Sequence, residues 1–249
     1  MSIVYKRPDV FTDEYMKYCG GCGHGIINRV IGELIEEMNL QEKAVFVWPI
    51  GCSVYADKYF KVDSICALHG RAPAVGTGVK RATPDNLVIV YQGDGDLASI
   101  GAAEIVHCAA RGENISTIFI NNGIYGMTGG QMAPTTLPGM KATTCQSGRD
   151  VKVNGNPIHV SEMLATLDGP AFIERVSVDS APNVIKAKKA IKKALECQMK
   201  GLGFSMVEVV SSCPTNWGMT AVKAMEFVRE KMIPFYPLGV YKDITEEAK

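Results

Sequence analysis

Hydrophobic positions along this chain alternate between short unbroken runs and helical stripes. Leu87 to Tyr91 (LVIVY) and Ile115 to Ile120 (ISTIFI) are β-branched runs that predict buried strands. The small, Ala-rich stretch Ala98 to Ala110 between them predicts a helix, so the segment reads as strand, helix, strand. Ala44 to Val47, Ala171 to Val178 and Phe204 to Val210 are further strand-like runs. Ile26, Ile27, Val30, Ile31, Leu34, Ile35 and Met38 recur at helical spacing and mark a helix packed on one face. Helices are also predicted over Ala72 to Lys80, Val184 to Lys200 and Met219 to Lys231. No linker, repeat or low-complexity segment precedes the tail, Pro234 to Lys249, which is expected to wrap onto a partner or back onto the chain. The alternation predicts an α/β fold with a mainly parallel, doubly wound sheet, residues 1–249 forming one domain.

Chemistry concentrates at the ends of two predicted strands. Gly93-Asp94-Gly95-Asp96 follows the first and Asn121-Asn122 ends the second. In open parallel sheets ligands bind outside the carboxyl ends of the strands, so Asp94, read as a loop carboxylate, and Asn122 can share one hard cation. Oxygen donors suit Mg²⁺, which fills its shell with water and substrate phosphates, and the implied ligand is a diphosphate. Gly93 and Gly95 permit close backbone approach, and a helix starting near Ala98 points its N-terminus at the anion. A glycine-flanked aspartate alone is commonly just a turn; the asparagine pair one strand later changes that reading.

Gly-Asp-Gly, then 25 residues, then Asn-Asn resembles the thiamine diphosphate motif of transketolases, pyruvate decarboxylases and 2-oxoacid oxidoreductases. The resemblance implies Mg²⁺ bound by Asp94, Asn122 and the main-chain carbonyl of Ile124. The glycines of Tyr125 to Gln131, directly after the metal-binding turn, suggest a loop folded over the diphosphate, with Thr128 donating to a phosphate oxygen and Gly129 beside it, although a simple mobile loop would read the same way.

Eight cysteines form a second pattern. Cys19-Gly-Gly-Cys22-Gly-His24 is a Cys-x-x-Cys in a loop too glycine-rich for a helix, Gly51-Cys52-Ser53 follows a strand, and Cys213 follows another in Ser-Ser-Cys-Pro-Thr-Asn-Trp. Four thiols at strand ends and in loops can converge on a [4Fe-4S] cluster. A Cys₄ zinc site would also use Cys19 and Cys22, but zinc ribbons usually supply a second close pair, whereas Cys52 and Cys213 stand alone. A disulfide framework is disfavoured because the N-terminus does not resemble a secretory signal. Cys66, in a strand, and Cys108 and Cys197, in helices, are expected to pack as small hydrophobes; Cys145, in the polar loop Ala142 to Asp150, has no assigned role.

CxxCGH, GCS and CPTxW together resemble the β subunits of 2-oxoacid:ferredoxin oxidoreductases from Tyr18 to Trp217, with Gly20 replacing a common proline and Asn216 a common glycine, both expected to be mild changes. The resemblance implies a thiamine diphosphate-binding fold, a [4Fe-4S] cluster on Cys19, Cys22, Cys52 and Cys213, and oxidation of a 2-oxoacid with coenzyme A and ferredoxin to acyl-CoA and carbon dioxide. It places His69-Gly70-Arg71 beside the cofactor, His69 being the catalytic candidate against a satisfied loop histidine. It also implies an α subunit carrying the pyrimidine-binding half, and further cluster-bearing subunits. Pro134 to Lys141 and Thr144 to Gly148 look similar to subunits acting on branched-chain 2-oxoacids or 2-oxoglutarate and lean toward 3-methyl-2-oxobutanoate. The rivals are a non-oxidative thiamine decarboxylase or carboligase subunit and a zinc-bearing scaffold.

Composition fits these expectations. With 249 residues, 47% hydrophobic content and no net charge, the chain can bury a full core, and nucleic acid is disfavoured as a partner. No apolar run reaches the length of a membrane span, which predicts a cytoplasmic protein. No GxGxxG fingerprint for a dinucleotide is present. Lys186, Lys188, Lys189, Lys192 and Lys193 share one helix, read as a solvated face or a dock for an acidic electron carrier.

Overall fold

The computed structural model describes residues 6–245, so residues 246–249 of the predicted tail lie outside the described part. Among these residues the strands are β1 (Ala44–Trp48), β2 (Asp63–Cys66), β3 (Leu87–Gly93), β4 (Ser116–Asn121), β5 (Ile124–Tyr125), β6 (Gln131–Met132), β7 (Pro170–Ser177), β8 (Phe204–Val210) and β9 (Gly239–Asp243). The helices are α1 (Gly23–Glu37), α2 (Ala72–Ala82), α3 (Ala102–Ala110), α4 (Val151–Asn154), α5 (Val160–Ala165), α6 (Ala181–Met199), α7 (Pro214–Trp217), α8 (Ala221–Phe227) and α9 (Ile233–Phe235). A 3₁₀ turn covers Cys52–Lys58, and π turns cover Asp96–Ile100 and Val228–Met232.

Seven strands form one sheet in the order β2-β1-β3-β4-β8-β7-β9, parallel except for β9. Side chains alternate across it. Phe46, Trp48, Ile89, Tyr91, Ile118, Ile120, Val207 and Val209 pack on α1 and α6, while Val47, Val88, Val90, Phe119, Ile173 and Met206 pack on the opposite face with Ile105 of α3 and Leu164 of α5. Covering both faces removes the need for polar alternation, which is why the central strands read as unbroken hydrophobic runs. The doubly wound α/β expectation is borne out.

Several local expectations change. Helix α1 begins at Gly23 rather than at Ile26, with Cys22 as its N-cap, so His24 is helical. The helix after β3 begins as a π turn at Asp96, two residues earlier than Ala98. Cys66 does not pack as a small hydrophobe: β2 is an edge strand exposed along its length, and Cys66 is exposed with it. Cys108 and Cys197 are buried, as expected. The described part of the tail folds back onto the chain, β9 pairing antiparallel with β7. The lysine stripe of α6 is only partly a solvated face, because Lys188 bridges to Glu33 and Glu37 of α1 at 2.8 and 2.6 Å, and Lys193 pairs with Asp243 of β9. Among the described residues no helix is long and apolar enough to cross a membrane.

Candidate functional site

The chain leaves β1 through Ile50 to Ser53, β3 through Asp94 to Asp96, and β4 through Asn122, and these residues line a single cleft. Gly93, Ile124 to Thr128, His24 and His69 complete it. In the sheet β2 lies beyond β1 and β4 lies beyond β3, so the chain winds in opposite directions from the β1–β3 junction. Ligands of open α/β sheets bind at such a reversal.

Asp94, expected as a loop carboxylate that contributes little to the core, is buried. It is 2% exposed. One oxygen accepts the Gly95 N–H at 2.8 Å and the other accepts Thr135 Oγ1 at 2.7 Å, while the N–H groups of Gly123 and Ile124 also favour its charged form. Burial outweighs these donors and raises its pKa to about 6. Asn122 is buried in the next turn, its side-chain oxygen accepting the Ile124 N–H at 3.3 Å, and Gly123 at φ 67° makes that turn possible. Asp94, Asn122 and Ile124 are therefore brought together.

The two glycines of the motif have different neighbours. A Cβ on Gly95 would lie 2.3 Å from the Tyr125 ring, so this glycine is required by packing within the protein. A Cβ on Gly93 would meet nothing within 4 Å. Space on the cleft side of Gly93 is what approach to a ligand requires. Ser53, 1% exposed and also lining the cleft, has a hydroxyl without a partner, and a buried unpaired hydroxyl is costly unless a ligand completes it. Both features fit a bound anion.

His69 lines the cleft, and its Nδ1 lies 2.5 Å from Asp96 Oδ1. Asp96 is itself fixed by the Gly70 N–H at 2.7 Å and Gln92 Nε2 at 2.5 Å. Thr128 lines the cleft, but its hydroxyl donates to Gln131 Oε1 at 2.6 Å across the β5–β6 hairpin. Gly129, at φ 106°, shapes the hairpin turn. His24 is buried, its Nδ1 2.6 Å from the Tyr91 hydroxyl, and burial lowers its pKa to about 4, leaving a neutral ring.

The thiols of Cys19, Cys22, Cys52 and Cys213 gather beside this cleft. A Cβ on Gly126 would sit 3.2 Å from Cys52 Sγ and 3.6 Å from Cys213 Sγ, so both sulfurs face the same notch. Burial pushes the thiols of Cys22 and Cys52 up to about 12 and 11, with neighbouring thiols of the set adding to the rise. Cys213 is raised in the same way. Ser212 Oγ donates to Gly21 O at 2.8 Å, which ties the Cys-x-x-Cys loop to the segment after β8. Among the described residues no group of three or more His, Cys, Asp or Glu side chains is spaced to hold a single metal ion. Four thiols are the donor set that a four-iron cluster uses. Cys145 packs in the same apolar group as Cys213 and Trp217.

Three contributors carry weaker signals in the sequence. Thr135, forty-one residues from Asp94, has no motif around it. Asp96 belongs to the GDGD run, yet only the fold shows that it holds His69. Asn216, expected to be a mild change, donates to Gly126 O at 2.9 Å and to Cys213 Sγ at 3.3 Å.

Comparison with known proteins agrees with this geometry. The family described as thiamine pyrophosphate enzyme, C-terminal TPP binding domain, matches residues 49–209. Ketoisovalerate oxidoreductase subunit VorA of Methanothermobacter marburgensis is 49% identical over 246 residues, 99% of this chain and 52% of that protein. The VorA subunit of Methanothermobacter thermautotrophicus is 46% identical over 99% of this chain and 54% of its own length. The chain thus spans about half the length of these relatives. 2-Oxoglutarate synthase subunit KorB of Methanocaldococcus jannaschii is 38% identical over 92% of this chain and 82% of that subunit. The solved 2-oxoglutarate:ferredoxin oxidoreductase of Magnetococcus marinus, with 2-oxoglutarate, coenzyme A and succinyl-CoA bound, superposes with a TM-score of 0.76 at 28% identity, covering 96% of this chain and 85% of that one. Cleft, motif and relatives agree, and the chain belongs to the thiamine pyrophosphate-binding subunits of the 2-oxoacid:ferredoxin oxidoreductase family.

Proposed function

We propose that this chain is the thiamine diphosphate- and iron–sulfur-binding β subunit of an enzyme that oxidatively decarboxylates a 2-oxoacid to acyl-CoA and carbon dioxide while reducing ferredoxin. The observation that carries the proposal is a buried carboxylate, Asp94, facing a cleft whose neighbouring wall holds four gathered thiols. Asp94, Asn122 and the Ile124 carbonyl would hold Mg²⁺. Gly93, Gly95, Tyr125, Thr128, Gly129 and the unpaired Ser53 hydroxyl would surround the diphosphate. Cys19, Cys22, Cys52 and Cys213 would hold a [4Fe-4S] cluster. Thiamine diphosphate supplies an electron sink for loss of carbon dioxide, and the cluster accepts electrons singly. His69 is the catalytic candidate: Asp96 fixes one ring nitrogen, so the imidazole meets the cleft in a defined orientation.

Residues 1–249 would serve as one diphosphate-binding domain with an N-terminal cluster loop. The cleft is lined by two exposed apolar side chains, Ile50 and Met127, and Leu68, next in sequence to the lining residue His69, is exposed as well, which suits cover by an α subunit carrying the pyrimidine-binding half. That subunit would contribute to the coenzyme A and substrate sites, and further cluster-bearing subunits would pass electrons on to ferredoxin in a cytoplasmic complex. Higher identity to the ketoisovalerate subunits than to the 2-oxoglutarate subunits favours 3-methyl-2-oxobutanoate over 2-oxoglutarate. Ferredoxin reduction by the co-purified complex, with coenzyme A and each of pyruvate, 2-oxoglutarate and 3-methyl-2-oxobutanoate, tests this. The branched-chain acid should give the highest kcat/KM. Preference for another acid overturns the substrate assignment, and carbon dioxide release without ferredoxin reduction overturns the oxidative one.

A further inference from the structure

Asn216 lies in α7, the single helical turn that begins immediately after Cys213. Its side-chain Nδ2 has two acceptors: Gly126 O at 2.9 Å and Cys213 Sγ at 3.3 Å. The backbone N–H of Asn216 is directed at the same sulfur. One residue thus brings two N–H donors to a buried thiol while holding the loop that follows Tyr125. Cys22 and Cys52 are instead met by backbone N–H donors.

We propose that the Asn216 carboxamide tunes the reduction potential of the cluster held by Cys213, a role that rests on the cluster reading above. Reduction adds one electron, and therefore one negative charge, to the cluster and its thiolates. An N–H donor on a ligand sulfur stabilises the more negative form, and in a buried site that preference is weakly screened. The wild-type cluster is consequently a better one-electron acceptor than it would be with a residue lacking a donor at this position. The proton on Nδ2 is shared and never transferred, so the step remains a one-electron transfer from the substrate-derived electrons to the cluster. Asn216 is thus a positioning residue that acts on the cluster through Cys213.

The test is an anaerobic redox titration of the complex, followed by electron paramagnetic resonance, for wild type, Asn216→Leu and Asn216→Asp. Leu removes the donor at similar size, and Asp places a carboxylate against the thiolate. Iron content should be unchanged in both. The midpoint potential should fall in Asn216→Leu by about 59 mV, a tenfold change in the one-electron equilibrium, and further in Asn216→Asp. Thiamine diphosphate affinity, measured in parallel, reads any loosening of the Gly126 loop separately. Unmoved potentials in iron-loaded variants overturn the inference, as does loss of iron from both, which would make Asn216 a requirement for ligation instead. A wild-type complex without iron overturns the cluster reading itself, and this inference falls with it.

Discussion

Asp94 carries its charge into a site almost closed to solvent, and that placement predicts a pH dependence of the cofactor-free protein. Its pKa rises from 3.8 to about 6 because burial penalises the carboxylate. The folded state therefore holds its proton more tightly than the unfolded state. Stability from this group is present at low pH and is lost as pH climbs from about 4 through 6. The full loss is about 3 kcal/mol. Asp94→Asn should remove that dependence, making the apo protein more stable than wild type at pH 8 while abolishing retention of thiamine diphosphate. Urea midpoints at pH 5 and pH 8 check it; a variant that is no more stable than wild type at pH 8 would mean that the carboxylate is better solvated than its burial indicates. Gly95 adds a related lesson, since the motif glycine beside the aspartate is required by the Tyr125 ring, a contact that no local pattern announces.

Between elements, the first asparagine of the pair leads into a buried network. Asn121 Nδ2 donates to Glu208 Oε1 of β8 at 2.8 Å, and Glu208 Oε2 accepts Ser161 Oγ at 2.5 Å and faces Arg175 Nε of β7 at 2.9 Å. Arg175 grips Glu162 of α5 with both terminal nitrogens and also reaches the Tyr241 hydroxyl of β9. The strand end that carries Asn122 is thereby anchored across four elements. Asn121→Asp would set two carboxylates against each other and should cost about 3–5 kcal/mol. Adding Glu208→Gln should recover most of that, because the new carboxamide can donate to the new carboxylate while its oxygen keeps Ser161 and Arg175, and the network's charge is preserved. Urea denaturation of the single and double variants measures the coupling; a double variant no more stable than Asn121→Asp would remove the pairing as the anchor. Strands buried on both faces were legible from their hydrophobic runs, whereas β9 was not, because an edge strand with one partner carries a short, mixed pattern. Glu208, Arg175 and Glu162 are far apart in sequence, and only the β4–β8–β7 order makes them neighbours.

For the whole molecule, residues far apart in sequence meet at one wall: Cys19 and Cys22 precede α1, Asp94 and Asn122 follow β3 and β4, and Cys213 follows β8. Motif spacing made Asp94, Asn122 and the four cysteines legible as candidates: Asp94, Asn122, Cys52 and Cys213 follow strand ends, and Cys19 and Cys22 lie in the glycine-rich loop before α1. Thr135, Asp96 and Asn216 were not, because their roles follow from tertiary contacts made after the chain returns. The most direct test of a cleft that binds thiamine diphosphate beside an iron–sulfur cluster is metal and cofactor analysis of the anaerobically purified complex with three forms of this chain. Wild type should carry about four iron atoms and about one thiamine diphosphate per chain. Asp94→Ala should lose the thiamine and keep the iron, whereas Cys213→Ser should lower the iron and leave thiamine bound. Stoichiometric zinc with no thiamine in the wild type, or thiamine retained in Asp94→Ala, would contradict the account.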